Sequence, residues 1–110
     1  REGNYLESLA TALFIYTLAK AVNKGYISKD YIEPTRKAFD GMVKTFTRLE
    51  EDGSYTITNC CAVAGLGGDS KRYRDGSFEY YISEPVIEND PKSVGSFILA
   101  AIEYEKMTDK

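Results

Sequence analysis

The sequence has no histidine and no tryptophan among its 110 residues. Without imidazole it cannot contain Ser-His-Asp or Cys-His machinery or a His-ligated metal, so proton chemistry falls to Asp, Glu, Tyr or Lys. A basic surplus is also missing. Fourteen Lys and Arg stand against 17 Asp and Glu, a formal charge of −3, which removes nucleic acid and anionic membrane from the expected partners. No apolar run approaches the about 20 residues that span a bilayer, and no apolar signal segment opens the chain. Nor is there a Pro/Gly/Ser-rich linker or an internal repeat, so residues 1–110 read as one structural unit. The chain starts at Arg1 rather than Met, and the expectation is a piece of something longer.

What is present is helical periodicity. From about Tyr5 to Asn23, Leu6, Leu9, Ala10, Leu13 and Tyr16 mark one stripe, and Phe14, Leu18, Ala21 and Val22 a second. Apolar surface nearly encircles this helix, which is therefore expected to be buried on more than one side. Lys20 and Lys24 gather in its last turns, and Gly25 follows as a left-handed terminator. With Ser28 or Asp30 as cap and Pro34 in or near the first turn, a second helix begins. Its single stripe is Ile32, Ala38, Phe39, Met42, Val43, Phe46 and Leu49, and Glu51-Asp52-Gly53 is expected to end it. A doubly buried helix followed by a one-sided one predicts an antiparallel hairpin, first helix inside and second outside.

Tyr55 to Thr58 is a short β-favouring run, and Gly65 to Gly68 with Arg72 to Gly76 reads as loop and turn. Ser77 is placed to cap a short helix over Phe78 to Ile82, closed by Pro85. Asp90 as cap, Pro91 at the first position and the spacing of Val94, Phe97, Ile98, Ala101 and Ile102 predict a last helix to about Met107.

Several groups invite chemistry. Adjacent Cys60 and Cys61 are too close for an easy disulfide and too few for a zinc site, so they read as small packed residues. The glycine-rich stretch lacks the Lys-Ser/Thr that ends a phosphate loop. Asp75, Glu79, Glu84, Glu88 and Asp90 crowd the stretch before the last helix and raise a carboxylate-pair glycosidase reading, although acidic residues more often simply face water. Tyr73, Tyr80 and Tyr81 share one loop region, and tyrosine can stack on a sugar face as well as pack a core. The Asn89-Asp90-Pro91-Lys92-Ser93 turn joins backbone N–H groups, the positive end of a helix and an ammonium at one point, which suits an anion; otherwise Asp90 only caps the helix.

Three segments in order carry a resemblance. Gly3-Asn4-Tyr5-Leu6-Glu7-Ser8 running into Thr11 to Lys20 with Asn23-Lys24-Gly25-Tyr26, then Cys61 to Gly67, then Arg74 to Pro85 with Asn89-Asp90-Pro91-Lys92 and Gly95, together resemble the unsaturated rhamnogalacturonyl hydrolases, glycoside hydrolase family 105. The resemblance covers essentially the whole chain. It implies a mainly α fold, the C-terminal third of an (α/α)6 barrel made of antiparallel helical hairpins with a short β segment and a long loop. It further implies a substrate: an oligosaccharide ending in an unsaturated uronic acid, linked in pectin to rhamnose. In such enzymes an Asp protonates C4 of the C4=C5 double bond, water adds at C5 and the hemiketal collapses, with no metal or organic cofactor.

That Asp belongs to a preceding segment of the family, so the resemblance implies no catalytic residue within these 110 positions. What it implies here is recognition. Lys92 meets the substrate carboxylate or a hydroxyl, assisted by Ser93 and nearby N–H groups, while Asp90 shapes the turn; Arg74, Asp75 and Tyr80 are expected to line the same mouth. The family usually has Gly where Ser93 stands, and a side chain there is expected to narrow or re-aim the pocket. Exposed inner helix faces are expected to favour self-association. Two alternatives remain, an unsaturated glucuronyl hydrolase acting on glycosaminoglycan fragments and a non-catalytic helical module that binds sugar or a partner. The compartment, cytoplasmic or exported, stays open.

Overall fold

The computed structural model describes residues 1–69 and 71–109. Helix α1 spans Ser8–Asn23 and starts later than its apolar pattern, because Glu7 is its cap: the backbone of Glu7 is extended and its carboxylate accepts from the amides of Leu9 and Ala10. At the other end Gly25 takes the left-handed conformation (φ +72°) that glycine adopts without strain, and the Gly25 and Tyr26 amides return to Val22 and Ala21. Ser28 caps a 3₁₀ turn, Lys29–Tyr31, that leads straight into α2, Ile32–Phe46.

Helix α2 stops at Phe46, short of the expected Glu51-Asp52-Gly53 terminator. Thr47–Leu49 instead forms strand β1 and pairs antiparallel with β2, Tyr55–Ile57, in the register Thr47 to Ile57 and Leu49 to Tyr55. The ladder supplies the hydrogen bonds a further helical turn would have made, and Glu51 to Gly53 become the hairpin turn. Leu49, expected on the apolar stripe of α2, consequently lies exposed. Strand β3, Cys60–Cys61, pairs with β4, Val86–Ile87. Between them lies α3, Phe78–Ser83, capped by the Ser77 hydroxyl, and after them α4, Pro91–Thr108, capped by Asp90. The mainly α character and the antiparallel α1–α2 hairpin are as expected.

Helix α1 packs against both α2 and α4, which also meet each other through the stacked rings of Phe39 and Tyr104. Ala12, Ile15, Met42, Phe46 and Ala100 form one core cluster; Ala19, Val22 and Met107 form another. The start of α1 therefore meets the end of α2, whereas α1 and α4 run parallel. Burying a side chain such as Ile15 or Met42 contributes about 1.5–3 kcal/mol each. The stripes expected on α1 and α4 are corrected in detail. The buried face of α1 is Ser8, Ala12, Ile15, Ala19 and Val22, and that of α4 is Ser93, Ser96, Ala100 and Met107. Small residues dominate both faces, so the two backbones approach closely, and Leu13, Phe14, Ile98 and Ile102 are left on outward surface.

Candidate functional site

The heads of α1 and α4 meet at β3, and local sequence explains how. Asn59 and Asn89 both adopt left-handed backbone (φ +56° and +52°), which Asn tolerates better than most residues. Asn59 turns the chain so that its carbonyl accepts from the Ser8 amide (3.0 Å) while its side chain reaches Leu6 O (3.0 Å). Asn89 zips to Ile57 through both its amide and its side-chain oxygen, 2.8 Å each, setting the start of α4 beside β2.

Between these elements lies a cleft of about 420 Å³, lined by Glu7, Leu9, Ala10, Leu13, Cys61, Val63, Ala64, Tyr81 and Lys92. Its polar groups are few. The Lys92 ammonium donates to Asp90 Oδ2 (2.9 Å) and to the Ala62 carbonyl (3.2 Å), so two of its three N–H groups are engaged. Glu7 faces the same space, and its Oε1 also accepts from the Cys61 amide (3.1 Å). Tyr81 forms one wall, its ring parallel to that of Tyr5 with centroids 5.8 Å apart.

Asp90 fills the anion-binding point at the turn from within. Its Oδ1 accepts from the Lys92 amide (2.9 Å), and its backbone carbonyl takes the Val94 amide. The hydrogen bond from Lys92, outweighing the opposite push of burial, holds the Asp90 carboxyl below the usual carboxylate range. Asp90 thus shapes the turn, as expected. Ser93 is not among the residues that line this cleft: its side chain is buried, and its hydroxyl has no hydrogen-bond partner among the described residues.

Arg74, Asp75 and Tyr80, expected at the same mouth as Lys92, are not among the residues that line it. They surround the next loop. Gly67 and Arg74 exchange backbone hydrogen bonds at 2.8 Å, and the Tyr80 hydroxyl accepts from the Gly65 amide at 3.2 Å. Burial first, and then a hydrogen bond with Glu84, raise the Tyr80 hydroxyl above its ordinary pKa. Glu84 is buried, with Arg72 at 2.7 Å and Arg74 at 3.7 Å. Asp75 receives the Ser77 amide (2.8 Å) ahead of α3, and hydrogen bonds from Ser77, side chain first, hold its carboxyl low. Of the other acidic residues near this stretch, Glu79 pairs with Arg1 and Glu88 with Arg48. The five carboxylates that raised a glycosidase pair are thus each committed to a separate donor. Tyr73 stands out in solvent on the loop, and both cysteines are buried and free, as packed residues would be. Among the described residues, no group of three or more Cys, Asp or Glu is arranged to hold a metal ion.

Sequence reasoning singled out Tyr81 among the tyrosines able to stack on a sugar but missed Glu7 as a member of the cleft. Glutamate is outside the usual set of helix caps, and nothing local reveals that its second partner lies more than fifty positions away.

Comparison with known proteins bears on these observations. Residues 1–108 match the model of Glycosyl Hydrolase Family 88. A protein of Agrobacterium fabrum and the 24.9 kDa protein in the picA locus of Rhizobium radiobacter are each 38% identical over 105 residues, covering 92% of this chain and 45% of their own. A solved family 105 glycoside hydrolase from C. acetobutylicum superposes with a TM-score of 0.92 at 44% identity, over 96% of this chain and 29% of that one. The chain thus spans less than half the length of the relatives it matches. The kinship with family 105 read from the ordered segments is met, as is the mainly α, helical-barrel class.

Proposed function

The chain belongs to Glycosyl Hydrolase Family 88, and from that premise we propose that it supplies substrate recognition to a helical-barrel glycosidase that hydrates an unsaturated terminal uronate. The proposed substrate is a rhamnogalacturonan oligosaccharide left by a lyase, with the unsaturated galacturonyl residue at its non-reducing end. An acid Asp outside these residues protonates C4 of the double bond, water adds at C5, and the hemiketal opens to release the neighbouring sugar. The 44% identity to a family 105 glycoside hydrolase supports a glycosidase of this type.

The observation that carries the reading is the Lys92 ammonium lining a mostly apolar cleft whose other charged group is Glu7, with one N–H not engaged among the described residues. Such a group pairs with a uronate carboxylate or a hydroxyl, and the ring of Tyr81 offers a flat face to a sugar. The isolated 110-residue chain is expected to turn nothing over.

The test is an assay of the full-length protein on lyase-treated rhamnogalacturonan beside lyase-treated chondroitin and hyaluronan, following loss of the ultraviolet absorbance of the C4=C5 bond. Loss on the pectic substrate alone is expected. Loss on the glycosaminoglycan fragments alone would move the assignment to a glucuronyl hydrolase, and no loss on any would leave a non-catalytic module.

A further inference from the structure

Glu7 makes more bonds than a helix cap requires. Its Oε2 accepts from the Ala10 amide (2.7 Å), and its Oε1 from the Leu9 amide (2.9 Å) and the Cys61 amide (3.1 Å). Aspartate or serine, the usual caps, reach only their own helix, whereas the extra methylene of glutamate lets one carboxylate span to another element. The bonded amide has a telling neighbour. The next residue, Ala62, offers its carbonyl to the Lys92 ammonium at 3.2 Å, while its own amide is tied to Pro85 O at 3.0 Å. The bonds to Glu7 and from Lys92 each have one charged partner, which strengthens a hydrogen bond relative to a neutral pair of the same geometry.

We infer that Glu7 is a positioning residue for Lys92: by pinning the Cys61 amide to the head of α1 it fixes the Ala62 carbonyl that, with Asp90, aims the ammonium into the cleft. The inference rests on the reading of Lys92 as the group that meets substrate. Released from Glu7, the 61–62 segment shifts relative to α1, and the ammonium keeps only Asp90, which turns it toward its own helix. Substrate affinity falls while the proton-transfer step, carried out elsewhere, is left alone.

The experiment is a double-mutant cycle in the full-length protein with lyase-released rhamnogalacturonan oligosaccharides. Glu7→Asp keeps the charge and caps α1 but is too short for the Cys61 amide. It is expected to raise KM about threefold to tenfold with kcat within about twofold. In a Lys92→Ala background the same change should add nothing to KM. If Lys92→Ala raises KM while Glu7→Asp leaves it unchanged, or adds its full effect on top, the positioning role is overturned and the recognition reading survives. If Lys92→Ala itself leaves KM unchanged, or the protein acts on none of these oligosaccharides, both readings fall together. Should Glu7→Asp not fold, Glu7→Ser carries the same cycle, because its hydroxyl caps α1 but is too short to reach the Cys61 amide.

Discussion

Arg72 and Glu84 form an ion pair across the protein boundary: Nη2 of the largely exposed arginine lies 2.7 Å from Oε2 of a carboxylate whose side chain is fully buried. Arg72→Ala leaves that carboxylate with Arg74, at 3.7 Å, and the Tyr80 hydroxyl. The expected loss is about 1–3 kcal/mol, read as a lowered urea midpoint of the full-length protein. Glu84→Gln should cost less than Arg72→Ala, since it removes the buried charge along with its partner's task. Equal or reversed losses would show that Arg74 and Tyr80 hold the carboxylate without Arg72.

The seam between α1 and α4 gives a second expectation. Ala100 is wholly buried in one cluster with Ala12 and Ile15, so a longer side chain there must displace close-packed neighbours. Ala100→Leu is therefore expected to destabilise by about 1–3 kcal/mol despite adding apolar surface. A thermal melt of the variant that matches the parent would mean that the seam can open without cost.

Acid should weaken the fold. Glu88, whose first cause is its hydrogen bond from Arg48, Glu50, held chiefly by Thr56, and Asp90, held chiefly by Lys92, all lie below their ordinary values of 4.5 for Glu and 3.8 for Asp. Because the folded values are depressed, their contribution is complete above the ordinary value and is lost as pH falls through the folded one. The melting temperature is expected to be level from neutral pH to about 5 and to fall below about 4. Arg48→Met should flatten part of that slope, and an unchanged slope would remove Glu88 from its origin.

The stranded hydroxyl of Ser93 predicts a gain. Ser93→Ala deletes a buried group that has no partner and is expected to stabilise the full-length protein by up to about 1 kcal/mol, measured by denaturant titration. It should leave KM unaltered. A raised KM would return the Ser93 side chain to the recognition site from which its burial separates it.

Those features decided within a few neighbouring residues were legible in the sequence. Gly25 as a terminator, the caps Ser77 and Asp90, and the span of α4 depend on local backbone chemistry, and the structure places them as the spacing predicts, whereas Ser28 caps only the 3₁₀ turn and α2 follows Tyr31 without a side-chain cap. The end of α2 was not legible, because Thr47 to Leu49 leave the helix only when Tyr55 to Ile57 arrive as a partner. Hydrophobic periodicity pointed to Leu13, Ile98 and Ile102, yet the α1 and α4 backbones meet over Ala12, Ala100 and serines, since closeness favours small residues over greasy ones. The resemblance drew attention to Lys92, but Glu7 joined it only through a bond to Cys61, which no pattern in the chain announces.

The two cysteines, side by side beneath the head of α1, make the molecule its own timekeeper. Cys60 touches the Ser8 hydroxyl and is wholly buried, so an alkylating reagent meets its thiol only when β3 lifts away, whereas Cys61 lines the cleft. The rate at which Cys60 is capped then counts those excursions, and a Cys61 capped no faster would mark the cleft as closed to the reagent.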